Sequence, residues 1–229
     1  MPRNRLSHAL VFAIALACGP VAFAQDAHGD IDKVNGSITA EAGQTYGDLE
    51  TVNGSIRIES NAKIGDAETV NGSIAVADNV NGASLTTVNG GIRVGTQAHL
   101  SELETVNGSI FVDRGGDIRL GVSTVNGAIG LVDTDLGGGI ETVNGDITVG
   151  VGSHVRGGIH VEKPNNWGFS MHKRKPPRIV IGPNAQVDGA LRFEREVVLY
   201  VHKTAKVGSI TGATPLPFDT DRAPDTSTD

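Results

Sequence analysis

Seven copies of Val-Asn-Gly lie on one ruler. They begin at Val34, Val52, Val70, Val88, Val106, Val125 and Val143, with every step 18 residues long except one of 19. An eighth copy, Val80-Asn81-Gly82, falls inside one period. A fixed spacing of this size is the mark of a solenoid, in which each repeat forms one coil and buries its apolar side only by stacking on its neighbours.

One period reads Glu50-Thr51-Val52-Asn53-Gly54-Ser55-Ile56-Arg57-Ile58, followed by residues 59–67. Apolar and polar residues alternate with period two, which predicts a strand with one buried face. The alternation places Val52, Ile56 and Ile58 inside and Arg57 outside, and the same ranks recur as Val70, Ile74, Val76 and as Val88, Ile92, Val94. Asn-Gly between the apolar ranks suits a tight turn with φ > 0. In a period of 18 this turn is a corner of a β-helix. Asn35, Asn53, Asn71, Asn89, Asn107, Asn126 and Asn144 then stack their amides from coil to coil as a structural corner ladder rather than as a row of ligands.

A second corner is written less plainly. Asn61-Ala62-Lys63-Ile64 resembles Gln97-Ala98-His99-Leu100, Asn184-Ala185-Gln186-Val187 and Thr204-Ala205-Lys206-Val207. This pattern carries the solenoid past the last triplet. The expected fold is all-β, a single-stranded parallel β-helix over residues 32–213 with roughly ten coils, about 48 Å long at the usual strand spacing. Residues 162–177 break the alternation and read as a loop expelled from one coil. Residues 214–229, with three prolines among Asp, Thr and Ser, read as a disordered tail.

The first 24 residues are expected to be a secretory signal peptide. Arg3 and Arg5 precede the apolar run from Ala9 to Ala17, and Ala22-Phe23-Ala24 forms the cleavage site, leaving 25–31 as a lead-in. Lipid anchoring at Cys18 is the weaker reading, because Ala15-Leu16-Ala17 fits a lipoprotein box poorly. The mature chain has no transmembrane stretch and is expected in the periplasm or at the cell surface.

Charge is divided unevenly. Residues 32–162 hold 17 acidic and 7 basic side chains, whereas 163–213 hold 3 and 9. The acidic body argues against nucleic-acid binding, which depends on neutralising phosphates. Asp32, Glu50, Glu68, Glu104 and Glu141 share one rank. A single such column supplies too few oxygens for a divalent cation, so solvent screening is expected and no metal or cofactor is called for. Thr51, Thr69, Thr87, Thr105, Thr124 and Thr142 form another rank, suited to strands, and a water-ordering array on an ice-binding surface is its remote alternative. His154, His160, His172 and His202 show no zinc spacing, and no acid or base is singled out for catalysis.

The expelled loop holds the best binding candidates. Trp167 and Phe169 precede His172, Lys173, Arg174 and Lys175, a combination suited to an anionic glycan or a protein partner; the plainer reading folds the aromatics back onto the solenoid.

The recurring Thr-Val-Asn-Gly-Ser-Ile resembles the repeats of a bacterial adhesin family of β-strand-repeat proteins, over residues 32–160. Ile179-Val180-Ile181-Gly182-Pro183-Asn184-Ala185-Gln186-Val187-Asp188-Gly189 is similar to bactofilins, polymer-forming β-helical proteins. The resemblances imply a non-enzymatic structural or adhesin-like component of the cell envelope. The alternatives are a binding module acting through residues 162–177, or a filament subunit joined through the solenoid ends.

Overall fold

The structure, a computed structural model, describes residues 28–164 and 175–224. Among them there is no helix, and the strands stack in parallel into a three-faced solenoid of ten coils. The first face runs from Ile31–Asn35 through Leu49–Asn53 to Ile210–Thr211, and the second from Ile38–Ala40 through Ile56–Ile58 to Pro215–Phe218; each has ten strands. The third face has six short strands, from His99–Leu100 to Lys206–Val207, and single bridges at Thr45, Lys63 and Asn81 continue it toward the N-terminus. Residues 1–24, expected from sequence to be a signal peptide, lie outside the described residues together with Cys18.

The register is strict where the period is 18. Leu49 pairs with Ala67, Thr51 with Thr69 and Asn53 with Asn71 on the first face, while Ile56 pairs with Ile74 on the second. Each rank therefore becomes a continuous interior column, with Ile38, Ile56, Ile74, Ile92 and Ile110 all within 2% of complete burial. Burying one such side chain is worth about 2 kcal/mol.

The inward set on the first face differs from the sequence expectation. Leu49 and Thr51 face the core, whereas Val52 is half-exposed, and Val34 in the first coil is 61% exposed. Straight alternation would put Val52 and Ile56 on one side. The bend at Asn53-Gly54-Ser55 uses up one step of that alternation, so inward parity passes from Thr51 to Ile56. Interior threonine is tolerated because its hydroxyl is satisfied. Thr51, Thr69, Thr87, Thr105 and Thr124 each donate to a glycine carbonyl of the preceding coil at 2.8–3.1 Å. A buried threonine column cannot order surface water, which removes the ice-binding alternative.

The left-handed backbone also sits elsewhere than expected. The φ > 0 rank is the second corner: Gly43, Asn61, Asn79, Gln97, Gly115, Asp133, Gly152 and Asn184, with φ between 46° and 73°. Of the ladder glycines only Gly36 and Gly127 have positive φ. The others are required for space, since a Cβ on Gly54, Gly72, Gly90 or Gly108 would overlap the carbonyl of the glycine one coil before. The eighth triplet has a third role. Asn81 bridges Lys63 and His99 on the third face, and Gly82 leaves core space that Ile64 and Leu100 fill.

Both ends of the solenoid extend beyond the expected limits. The first strand begins at Ile31, and His28 bridges Tyr46 with their rings stacked 4.8 Å apart. At the other end, Pro215–Phe218 is a tenth strand paired with Val198–His202 rather than part of a disordered tail. The Lys203 N–H donates to the Phe218 carbonyl at 3.0 Å. In this parallel register Leu216 and Phe218 turn their backbone groups to the ninth strand, so Pro215 and Pro217 turn theirs to the free edge, where no N–H is missed. Phe218 is buried edge-on to Tyr200 and His202.

Candidate functional site

The asparagines of the seven regular triplets form one hydrogen-bonded column. Asn53 Nδ2 donates to Asn35 Oδ1 at 3.0 Å, and the same bond repeats through Asn71, Asn89, Asn107, Asn126 and Asn144 at 3.0–3.1 Å. Every donor points toward the N-terminus. The column ends at Asn144 because the next coil, after Ile159–Val161, leaves the solenoid at this corner and re-enters at Arg178–Ile181.

Several side chains bind this break. Arg195, which belongs to the coil after the excursion, reaches back to Asn144 Oδ1 at 2.6 Å and to the Val143 carbonyl at 2.9 Å. The amide acceptor that a next asparagine would have satisfied thus receives a charged donor, a stronger bond than the one it replaces. The Glu162 N–H donates to the Thr142 carbonyl, and the Arg178 N–H donates to Asp146 Oδ1, both at 2.8 Å, which fixes the two ends of the excursion. His160 Nε2 lies 3.0 Å from Glu194 Oε1, and His154 Nε2 lies 2.7 Å from Asp188 Oδ2. Lys163, Pro164, Pro176, Glu194, Arg195 and Glu196 surround an open hollow of about 310 Å³ at the base. The Thr142 hydroxyl is buried here with no partner among the described residues, unlike the five threonines beneath it.

Electrostatics at the break are mixed. The His160 hydrogen bond holds the Glu194 carboxyl below its ordinary range, with help from the Lys163 N–H. Burial pushes Glu162 up, and Glu141 and Glu194 add to this against the opposing pull of His160. Arg195→Met is expected to cost about 1–2 kcal/mol of local stability, read as faster amide exchange in Ile140–Asn144 and Ile159–Val161.

Of the residues proposed from sequence for binding, Lys175 is exposed beside the re-entry point. Trp167, Phe169, His172, Lys173 and Arg174 lie outside the described residues. Sequence reading missed Arg195, His160 and Glu194. The 34-residue separation shared by His160–Glu194 and His154–Asp188, one coil plus the excursion, was a usable signal for the two histidine pairs. Nothing in the local sequence marks Arg195.

The acidic rank is a continuous column only in the first coils, where Asp32 pairs with Glu50 and Glu50 with Glu68; Thr86 and Ser123 separate Glu104 and Glu141 from other carboxylates in it. Beside it, the carboxylates of Asp30, Asp48 and Asp66 accept the N–H of Asp48, Asp66 and Ser84, at 2.8–3.0 Å. Burial, then the neighbouring carboxylates, raise Glu50 and Glu68 above their ordinary value of 4.5. A raised carboxyl binds its proton more tightly folded than unfolded, so the destabilisation is absent below pH 4.5 and complete above the folded value. Lowering the pH through the folded value toward 4.5 is therefore expected to raise Tm, and Glu68→Gln is expected to raise Tm at neutral pH while flattening that dependence. Thermal melts across the acid range check both.

Among the described residues no three acidic or imidazole side chains converge in a geometry that holds a metal ion, and no helix is long and apolar enough to cross a membrane. No family model, curated protein or solved structure matches the chain.

Proposed function

We propose that this protein is an exported, non-enzymatic β-solenoid of the bacterial cell envelope, structural or adhesin-like, that engages its partner through residues 162–177. The reading is carried by one observation. The asparagine column is unbroken to Asn144, and where it stops the chain is clasped by Arg195, by His160 with Glu194 and by the bond from Arg178 to Asp146. An insertion secured at both ends on a rigid scaffold suits presentation of a recognition segment. The segment's sequence, with Trp167, Phe169 and the run from His172 to Lys175, fits an anionic glycan or an acidic protein surface. Export is supported by the basic-apolar N-terminus and its Ala22-Phe23-Ala24 site.

The test compares the full chain with a version in which residues 163–177 are replaced by a short Gly-Ser link. Both are presented to acidic polysaccharides and to envelope extracts, with circular dichroism to establish that the solenoid persists. Binding by the full chain and its loss in the replacement is the expected result. Equal binding by the two proteins would move the site off the excursion, and N-terminal sequencing of the exported protein should begin at Gln25.

A further inference from the structure

Asn-Gly is the dipeptide most prone to spontaneous deamidation, because glycine leaves its own amide nitrogen free to approach the asparagine side chain. The chain has eight such pairs. In seven of them the fold occupies that nitrogen. The N–H of Gly36, Gly54, Gly72, Gly90, Gly108 and Gly127 each donates to the asparagine carbonyl of the next coil at 2.9–3.2 Å, and that of Gly82 donates to the His99 carbonyl at 3.0 Å. The series stops at Gly145. The coil that would supply its acceptor has left the corner after Val161, and the Gly145 N–H has no hydrogen-bond partner among the described residues.

From this difference we infer that Asn144-Gly145 is a site of covalent self-modification, where the asparagine converts to aspartate and isoaspartate ahead of the other seven pairs. The Gly145 nitrogen loses its proton to solvent base and attacks Cγ of Asn144. The Cγ–Nδ2 bond breaks, Nδ2 leaves as ammonia after taking up a proton, and a five-membered imide closes. Water then opens the imide at either carbonyl, so the net change is one water consumed and one ammonia released. Side-chain restraint does not set Asn144 apart, because the ladder asparagines from Asn53 to Asn126 also hold an Nδ2 bond below and an Oδ1 bond above. What differs is a nucleophile with no hydrogen-bond partner among the described residues, and the donor on the side-chain carbonyl. The Arg195 guanidinium, 2.6 Å from Oδ1, stabilises the negative charge that develops on this oxygen as Cγ is attacked, better than a neighbouring amide does. Arg195 itself lines the open hollow at the base of the excursion. The product carboxylate faces Arg195 as an ion pair, while Asn126 Oδ1 loses its donor.

The experiment ages the intact, folded protein in mildly alkaline buffer and maps its peptides by mass spectrometry, separating aspartate from isoaspartate. A parallel sample is held in urea. Asn144 is expected to convert about tenfold faster than the ladder asparagines in the folded sample, the factor that corresponds to about 1.4 kcal/mol of barrier. In urea all eight sites should convert at similar rates. Folded protein in which Asn35 or Asn81 converts first, or in which Asn144 is no faster than Asn53 to Asn126, overturns the inference.

Discussion

Deleting residues 214–229 is expected to turn this protein into one that associates end to end, with species lengthening as concentration rises. The deletion uncovers the Val198–His202 strand, whose outward N–H and C=O groups are now paired by Leu216 and Phe218. It also removes Phe218 from Tyr200 and His202, at a loss of about 2 kcal/mol of apolar burial. The opposite end offers a complementary surface. Ile31–Asn35 and Ile38–Ala40 are edge strands in the same parallel sense, flanked by exposed Asp30 and Asp32, while Arg192, Lys203 and Lys206 are exposed on the last coils. Two further contacts hold the cap in place: Lys203 pairs with Asp219 at 2.5 Å, and Arg178 Nη2 donates to the carbonyls of Ala223 and Pro224 at 3.1 Å. The double substitution Pro215→Val with Pro217→Val separates cap loss from edge chemistry, because it keeps the strand and restores two outward donors. It should also promote association, more weakly than the deletion. Sedimentation velocity over a concentration series checks both, and a truncated chain that stays monomeric would show that the prolines do not guard this end.

Gly90→Ala is the point substitution expected to cost most, about 3 kcal/mol. Its new Cβ would meet backbone atoms of Gly72 and Ser73 in the coil beneath, which cannot turn aside as a side chain can. Relief requires separating two coils, and that strains the Gly72–Asn89 and Gly90–Asn107 backbone bonds together. The neighbouring Val88→Ala, at a half-exposed position, should cost less than about 1 kcal/mol. Urea denaturation of the two variants tests the contrast. Adding Gly36→Ala, where φ is positive and only the Lys33 side chain comes within 4 Å of the new Cβ, distinguishes crowding from conformation as the reason for glycine, since a turn that needed left-handed φ would lose most there.

Period and composition made the solenoid legible because stacking repeats one chemical choice at each rank. Ile56, Ile74 and Ile92 announce a column, and so do Asn53, Asn71 and Asn89. The inward parity of Thr51 was not legible, since it depends on how sharply the chain bends after Asn53, and the letters alone read as straight alternation. Pro215 and Pro217 hid the last strand for a related reason. Proline argues against a central strand, yet it is harmless where its nitrogen faces outward at an edge. The site was half legible. The break at residue 162 stands out in sequence, but Arg195 acts across a gap of 51 residues to Asn144 and belongs to no repeat rank that predicts the contact.

The common direction of the asparagine amides gives the solenoid an electrical polarity. Seven side-chain dipoles are aligned along one edge, with N–H groups toward Asn35 and carbonyl oxygens toward Asn144. As at the ends of a helix, such an array favours anions at its donor end and cations at its acceptor end. The chain's charges follow that order, with Asp30, Asp32 and Asp48 around the first coils and Arg195 on the final oxygen. Coils could be added or removed between Asn53 and Asn126 without disturbing either terminus, so the number of repeats is free to vary while the pole at which the chain breaks out is not.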